Sequence, residues 1–239
     1  MDTLEQDAIE VLCLVWTLKN SFTPIFRIPP EVLSLIPVYC DDDDEDDVDQ
    51  SLIALTHVCR GWRNVFTSCP SLWTRLNFTN VNKTCMYIQR SHSFPLEIYL
   101  DQDINYLDNA FSLVIPHLHQ LKSLIVDVDF FPDVLKHFHC QVPLLKELCI
   151  YLWHSRNLIQ DGVYFDGGLS SLHKLTLRGL ITIMHLPWNN MANLNVFELR
   201  CWPPGHDITQ LLDFFKSTPL LHMVNLVDSI PQSSDVPPQ

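Results

Sequence analysis

The chain has 239 residues, of which 47% are hydrophobic, so it can bury the core of one large or two small domains. Its formal net charge is −13 and it has no cluster of basic residues, which disfavours nucleic-acid binding because phosphate recognition needs a basic surface. Its eight cysteines are scattered and form no Cys-x-x-Cys pair, a pattern typical of reduced intracellular thiols.

The first predicted element is an N-terminal helix within residues 1–26. The apolar run at 8–18 contains Glu10, follows acidic residues and is too short to span a bilayer, so it indicates neither a signal peptide nor a membrane anchor. We expect the helix to dock on the helical bundle that follows. Self-association is the alternative, which a pattern of barely two heptads disfavours. The apolar positions at helical spacing are Leu4, Ala8, Val11, Leu12 and Val15.

A short helix is predicted next, in the run IPPEVLSLIP at 28–37. Two prolines have the fixed φ that suits a first helical turn, and Glu31 favours the positive end of the helix dipole. Pro37 is predicted to end the helix after about two turns. Because so short a helix is unstable alone in water, it must pack on its neighbours.

The run DDDDEDDVD at 41–49 holds eight acidic residues. Without them, 20 acidic residues face 15 basic ones, and the formal net charge falls from −13 to −5. Such a block repels itself and is predicted to be a solvated, disordered insertion spanning about 41–50. No calcium-loop spacing occurs within it, so a metal ion or a basic partner is the weaker interpretation.

The segment LIALTHVCRGWRNVFTSCPSLW at 52–73 carries the next apolar stripe. Its apolar residues recur at offsets of three and four, as in an amphipathic helix, while Arg60 and Arg63 fall off the stripe. Taken alone, this periodicity also fits ordinary core helices of an unrelated domain. The stripe consists of Leu52, Leu55, Cys59, Trp62 and Val65 or Phe66.

Pro-Pro-Glu, Val-Cys-Arg-x-Trp-Arg and Leu-Trp in this order resemble an F-box over residues 27–75, of the kind abundant in mushroom-forming fungi. The acidic insertion departs from the motif by lengthening the first interhelical link. The resemblance implies a small helical bundle that binds the adaptor subunit, and through it the cullin, of a cullin-RING ubiquitin ligase. The implied adaptor-binding residues are Ile28, Pro29, Glu31, Val32, Leu33, Ile36, Leu55, Val58, Cys59, Trp62, Leu72 and Trp73.

Beyond residue 80 the pattern Leu-x-x-Leu-x-Leu occurs five times if Val, Ile or Phe is allowed at the second and third positions, with starts separated by 24, 27, 22 and 27 residues. This spacing is typical of leucine-rich repeats, whose stacked units bury a leucine face that one unit cannot bury alone. The first residues of the five copies are Leu121, Leu145, Leu172, Leu194 and Leu221, and a degenerate earlier turn lies at 94–100.

The predicted fold class is therefore α/β overall: a small α-helical F-box bundle, then a leucine-rich-repeat-like solenoid over 76–228 with parallel strands and helical or irregular return segments. Apolar strands of an ordinary α/β sheet are the alternative. The repeats lack the Asn or Cys that normally follows the last leucine-type position, so we expect irregular curvature. Residues 229–239 are predicted to be disordered.

Side chains alternate along a strand, so residues between the buried leucines should point to the concave surface of the sheet. Among these, Ile125, Asp127, Cys149 and Thr176 are predicted to be exposed. Aromatic and arginine side chains on neighbouring strands predict a target-binding strip, in which two arginines could share a phosphate; an ordinary polar sheet face is the alternative. The strip comprises Tyr151, Trp153, Arg178, Glu198, Arg200 and Trp202.

No catalytic motif emerges, because the six glycines form neither a phosphate-binding loop nor a nucleophile elbow. His137, His139 and Cys140 lack a partner pair at zinc-finger spacing, so neither a metal nor a cofactor is expected.

The sequence thus predicts a non-catalytic substrate receptor of an SCF-type ubiquitin ligase that is cytoplasmic or nuclear. It would bind the adaptor and an unknown protein target, with no nucleic acid or membrane. The alternative is an interaction scaffold outside any ligase, and an unrecognised hydrolase is the weakest possibility.

Overall fold

The computed structural model describes residues 3–40, 48–100, 107–127, 138, 141–151, 165, 168–179, 186, 190–200 and 208–227. The chain divides into two compact units, residues 1–73 and 74–239. Predictions for the acidic run at 41–47, for the His137, His139 and Cys140 cluster, and for the tail at 229–239 lie outside the described residues.

The first unit is helical. Pro37 does not end the predicted helix: α2 stops at Leu33, and Pro37 stands in the first turn of α3, where its missing N–H costs nothing. The predicted disordered insertion at 41–50 overlaps the start of α4, which begins at Val48. The elements are α1 Thr3–Ser21, a 3₁₀ turn Pro24–Arg27, α2 Pro30–Leu33, α3 Ile36–Tyr39, α4 Val48–Thr56, α5 Arg60–Thr67 and a 3₁₀ turn Pro70–Trp73.

The apolar stripe at 52–66 belongs to two helices, α4 and α5, because the chain becomes extended at Cys59. The Cys59 Sγ accepts a hydrogen bond from the Trp62 backbone N–H at 3.4 Å and so caps α5. Arg63 Nε donates to the Thr56 carbonyl oxygen at 3.0 Å, which satisfies a backbone acceptor at the end of α4. Arg63 therefore joins the two helices.

Two tryptophans anchor the core of this unit. Trp73 is fully buried, and its indole Nε1 donates to the Phe66 carbonyl oxygen at 2.9 Å. Trp62 packs edge-on against the Phe66 ring, with ring centroids 5.6 Å apart. Leu33 of α2 and Leu52 of α4 complete this buried set. The core thus draws on α2, α4, α5 and the final turn.

The N-terminal helix does not dock as expected. Its apolar side chains are exposed along most of its length, including Leu4 at 78%, Val15 at 54% and Trp16 at 61%. The helix is apolar over more than half of its circumference, so periodicity did not define one narrow face by which a packing partner could be assigned. Docking of α1 on the bundle is therefore a wrong prediction for the isolated chain.

The second unit is a seven-stranded parallel sheet in which the strand order equals the chain order. Equivalent positions of the repeats lie in register, since Leu148 pairs with Leu175 and Leu175 with Phe197. The fold is α/β, and the solenoid is open. The strands are β1 Arg75–Asn77, β2 Leu96–Leu100, β3 Leu121–Asp127, β4 Glu147–Tyr151, β5 Lys174–Arg178, β6 Val196–Arg200 and β7 Met223–Val227.

Helical return segments connect several of these strands: α6 Val81–Ser91, α7 Leu107–Val114 with a 3₁₀ turn Ile115–Gln120, and α8 Ile208–Ser217. Phenylalanines pack on one another between successive returns, with ring centroids 5.0 Å apart for Phe78 and Phe111, 5.5 Å for Phe111 and Phe138, and 5.4 Å for Phe138 and Phe165. The leucines on the strands and these aromatic rings together form a continuous core.

The last strand, β7, has a partner on one side among the described residues. All five of its residues are exposed, including Val224 and Leu226, although their counterparts Phe197 and Leu199 on β6 are buried. The apolar side of the sheet therefore ends uncovered at β7.

Candidate functional site

The predicted adaptor-binding residues fall into three groups by exposure. Leu33, Trp62 and Trp73 are core residues of the first unit, so they could act only by shaping the bundle and not by direct contact. The half-buried group is Ile28, Ile36, Leu55, Cys59 and Leu72, and the exposed group is Pro29, Glu31, Val32 and Val58.

Further apolar side chains of α2, α3 and the turn between them are exposed although the prediction left them out. Leu35 is 49% exposed, Val38 is 55% exposed, and Tyr39 protrudes further. A partner could cover these residues together with Val32 and Val58, which are similarly exposed. We call Val32, Leu35, Val38 and Val58 the exposed F-box residues. The sequence marks these residues only as apolar, because their exposure depends on how α2 and α3 pack.

The outward-pointing residues of the sheet form its open face, which is arranged in three rows by the strand register. The row at the ends of the strands brings Tyr151 beside Arg178, and Arg178 beside Arg200, all of them half-buried. Glu198 lies in the middle row, and its Oε1 accepts from Arg200 Nε at 2.7 Å. The described part of the predicted strip is thus contiguous, while Trp153 and Trp202 lie outside the described residues.

Cys149 and Thr176, which alternation predicted to be exposed, are buried. They point to the open face in the middle row, but longer side chains of the flanking rows cover them. An ion pair between Lys174 Nζ and Glu147 Oε1, 2.6 Å apart, lies on one side, and Tyr151 beside Arg178 lies on the other. Alternation predicts direction, whereas the size of the neighbours determines exposure.

Ion pairs in the row at the start of the strands were not predicted. Glu97 pairs with Lys122 at 2.6 Å and with Arg75 at 3.7 Å, and Glu147 pairs with Lys174. Each of these contacts joins two neighbouring strands. Glu147 and Lys174 are directly paired in register, whereas Lys122 is the extra residue at the register shift between β2 and β3. The ion pairs thus link neighbouring strands at the start of the open face.

Cys149 and two neighbouring side chains, Tyr151 and Lys174, have pKa values raised above their ordinary values. Burial raises the pKa of the Cys149 thiol, and the Glu147 carboxylate acts in the same direction. Burial also raises the pKa of Tyr151, with the neighbouring thiol adding to the effect. The hydrogen bond to Glu147 raises the pKa of Lys174. The thiol therefore stays protonated at neutral pH and is a poor nucleophile.

In the part of the chain that the structure describes, no group of three or more His, Cys, Asp or Glu side chains is placed to hold a metal ion. Within the same residues, no helix is long and apolar enough to cross a membrane. The described surfaces comprise exposed apolar side chains on the helices of the first unit and a mixed aromatic and charged sheet face in the second.

Comparison with protein families gives a match for the N-terminal part of the chain. A family model described as F-box-like matches residues 25–79, which contain α2 to α5 and the buried Trp73. The chain therefore contains an F-box-like domain. The match includes β1 and ends before the Leu-x-x-Leu-x-Leu repeats, the first of which begins at Leu121. No curated protein matches the chain.

Proposed function

We propose that the chain is the substrate-recognition subunit of an SCF-type cullin-RING ubiquitin ligase. The F-box-like domain binds the adaptor subunit, and the open face of the sheet binds a protein target. The chain itself is non-catalytic and works in the cytoplasm or nucleus. The observation that supports this best is the F-box-like match at 25–79, in a segment that leaves apolar side chains on α2 and α3 exposed.

The exposed F-box residues are the contacts that this proposal requires. Burial of an apolar side chain contributes about 1.5 to 3 kcal/mol, so a charge placed at Val32 or Val58 should weaken adaptor binding strongly. Because both side chains are more than half exposed, the fold should tolerate the change. Substitution of the buried Leu33 or Trp62 would unfold the bundle and could not separate binding from folding.

The test is a binding titration of the full chain with the purified ligase adaptor, comparing wild type with Val32→Asp and Val58→Asp. Leu212→Asp on α8 is the matched control, since Leu212 is also an apolar residue that is half exposed. We expect at least a tenfold loss for the first two variants and none for the control. Absence of adaptor binding by the wild type would contradict the ligase role and leave an interaction scaffold as the function.

Target capture is assigned to Tyr151, Arg178 and Arg200, which supply an aromatic surface and two neighbouring guanidinium groups. The Glu198 carboxylate orients Arg200 and partly offsets its charge, so a target with mixed polar and acidic character fits the strip better than a strongly anionic one.

Affinity purification with mass spectrometry should compare wild type with the triple alanine variant at these three positions. Lys216→Ala, at an exposed cation on α8, is the control. We expect the triple variant to keep the adaptor and to lose the target. If the two arginines bind a phosphate group on the target, phosphatase treatment of the sample should reduce recovery of the target. Equal recovery of every partner by both proteins would remove the strip from consideration.

A further inference from the structure

The N-terminal helix α1 presents a large apolar surface that nothing in its own unit covers. It runs for 19 residues, and the apolar side chains from Val11 to Leu18 are exposed on several sides of the helix. A helix that is apolar in this way is normally buried against a partner. It ends before the F-box-like segment at 25–79, so the surface is separate from the proposed adaptor site.

The pattern on α1 is that of a short coiled coil. Leu4, Ala8, Val11, Val15 and Leu18 are separated by four, three, four and three residues, which are the steps between heptad a and d positions. A polar stripe with the same steps follows the opposite side of the helix. It consists of Gln6, Glu10, Cys13, Thr17 and Asn20.

The charges on α1 select the orientation of the partner helix. In an antiparallel pair of identical helices that places Val11 opposite Val15, the flanking position Glu5 of one helix faces Lys19 of the other, and Leu12 faces Leu12. In a parallel pair, the acidic first turns containing Glu5 and Asp7 would lie side by side. The antiparallel arrangement also places the positive end of each helix dipole beside the negative end of its partner.

We propose that α1 pairs in an antiparallel coiled coil with α1 of a second copy of this chain, making the protein a homodimer. The contact is isologous, since the same residues of both copies meet around a two-fold axis midway between Val11 and Val15. The pairing buries the a and d residues and leaves the polar stripe in water. The dimer carries two F-box-like domains and two open sheet faces.

Sedimentation equilibrium of the full chain across about 0.1 to 100 µM tests the proposal, with Val15→Asp as the disruptive variant. Thr17→Asp is the matched control, because it places the same charge two residues away on the polar stripe. We expect a dimer for wild type and Thr17→Asp, and at least a 100-fold weaker association for Val15→Asp. Hydrogen exchange of 60–73 checks that the bundle stays folded. A monomeric wild type, or equal association of both variants, would overturn the proposal.

Charge reversal tests the orientation. Glu5→Lys and Lys19→Glu should each weaken the dimer by about twofold to tenfold, because each creates two like-charge contacts in a symmetric pair. The double variant restores opposite charges only if the helices are antiparallel, and it should recover most of the loss. If the double variant is no tighter than the weaker single variant, the antiparallel arrangement is wrong. The measurement uses low salt, where exposed ion pairs are screened least.

Discussion

Trp73 and Phe66 are linked by a hydrogen bond from the indole Nε1 to the carbonyl oxygen at 2.9 Å, and both side chains are fully buried. This contact fastens the final 3₁₀ turn of the first unit to the end of α5. The other buried tryptophan differs, because Trp62 Nε1 has no hydrogen-bond partner among the described residues. The two residues therefore stabilise the same core by different means.

Replacement of each tryptophan by phenylalanine separates these contributions. Both changes leave a cavity, but Trp73→Phe also removes a buried hydrogen bond, so we expect it to cost about 1 kcal/mol more. Trp62→Phe removes a buried donor that is already unpaired. Hydrogen exchange of peptides within 60–73 measures the difference, and a larger loss for Trp62→Phe would contradict the assignment of the hydrogen bond.

Arg63 is predicted to stabilise the junction of α4 and α5 through its bond to the Thr56 carbonyl oxygen. Arg63→Ala should destabilise the junction by about 1 kcal/mol, because that acceptor loses its side-chain donor. The neighbouring Arg60→Ala, also exposed, is the control and should have little effect. Urea unfolding followed by exchange at 52–67 tests this. Equal effects of the two substitutions would show that the bond contributes nothing measurable.

Gly168 has a φ of +92°, and a Cβ there would lie 2.7 Å from the Asn190 Cβ. We expect Gly168→Ala to cost about 1 to 3 kcal/mol through backbone strain and this clash. Gly61→Ala is a milder comparison, since its Cβ would meet the Phe26 ring at 3.0 Å without a positive φ. Thermal unfolding of the full chain ranks the two variants. A Gly168→Ala protein as stable as wild type would refute the strain argument.

The stability of the sheet should fall as the pH rises above about 9, the ordinary thiol pKa being 9.0. Cys149, Tyr151 and Lys174 all have raised pKa values, so each holds its proton more tightly in the folded chain than in the unfolded chain. Their contributions are complete below the unfolded pKa values and are lost as the pH rises through the folded ones. Urea midpoints between about pH 7.5 and 10.5 measure this linkage.

The variant Cys149→Ala measures how much the Cys149 thiol contributes to the fall in stability with rising pH. It removes one titrating group while Tyr151 and Lys174 remain, so the decline between about pH 9 and 10 should become shallower. A midpoint that rises with pH in the wild type, or an unchanged slope in the variant, would conflict with the raised thiol pKa.

The repeats were predictable because their signal is strictly local. Leu175 and Leu177 occupy the same places in their repeat as Leu148 and Ile150, and all four side chains are buried in register. The Phe111, Phe138 and Phe165 contacts were missed, although the sequence holds a signal for them. The three rings lie 27 residues apart, and each stands seven residues before a buried leucine: Leu118, Leu145 and Leu172.

The candidate sites were predictable in position but not in exposure. The pairing of Tyr151, Arg178 and Arg200 follows from the repeat spacing alone. The burial of Cys149 depends on neighbours from another strand, which no local pattern contains. Likewise, Val32 and Leu33 are both apolar residues of a predicted helix. Only the packing of α2 shows that Leu33 is buried and Val32 is exposed.

Because the strand order of the parallel sheet equals the chain order, the second unit can unfold locally, one strand at a time. Each interior strand is hydrogen-bonded only to the strand before it and the strand after it, so opening at β7 need not disturb β1 to β3. A target held by Tyr151, Arg178 and Arg200 would clamp β4, β5 and β6 together. Binding of a target at the ends of these strands would then slow amide exchange along the whole of β4, β5 and β6.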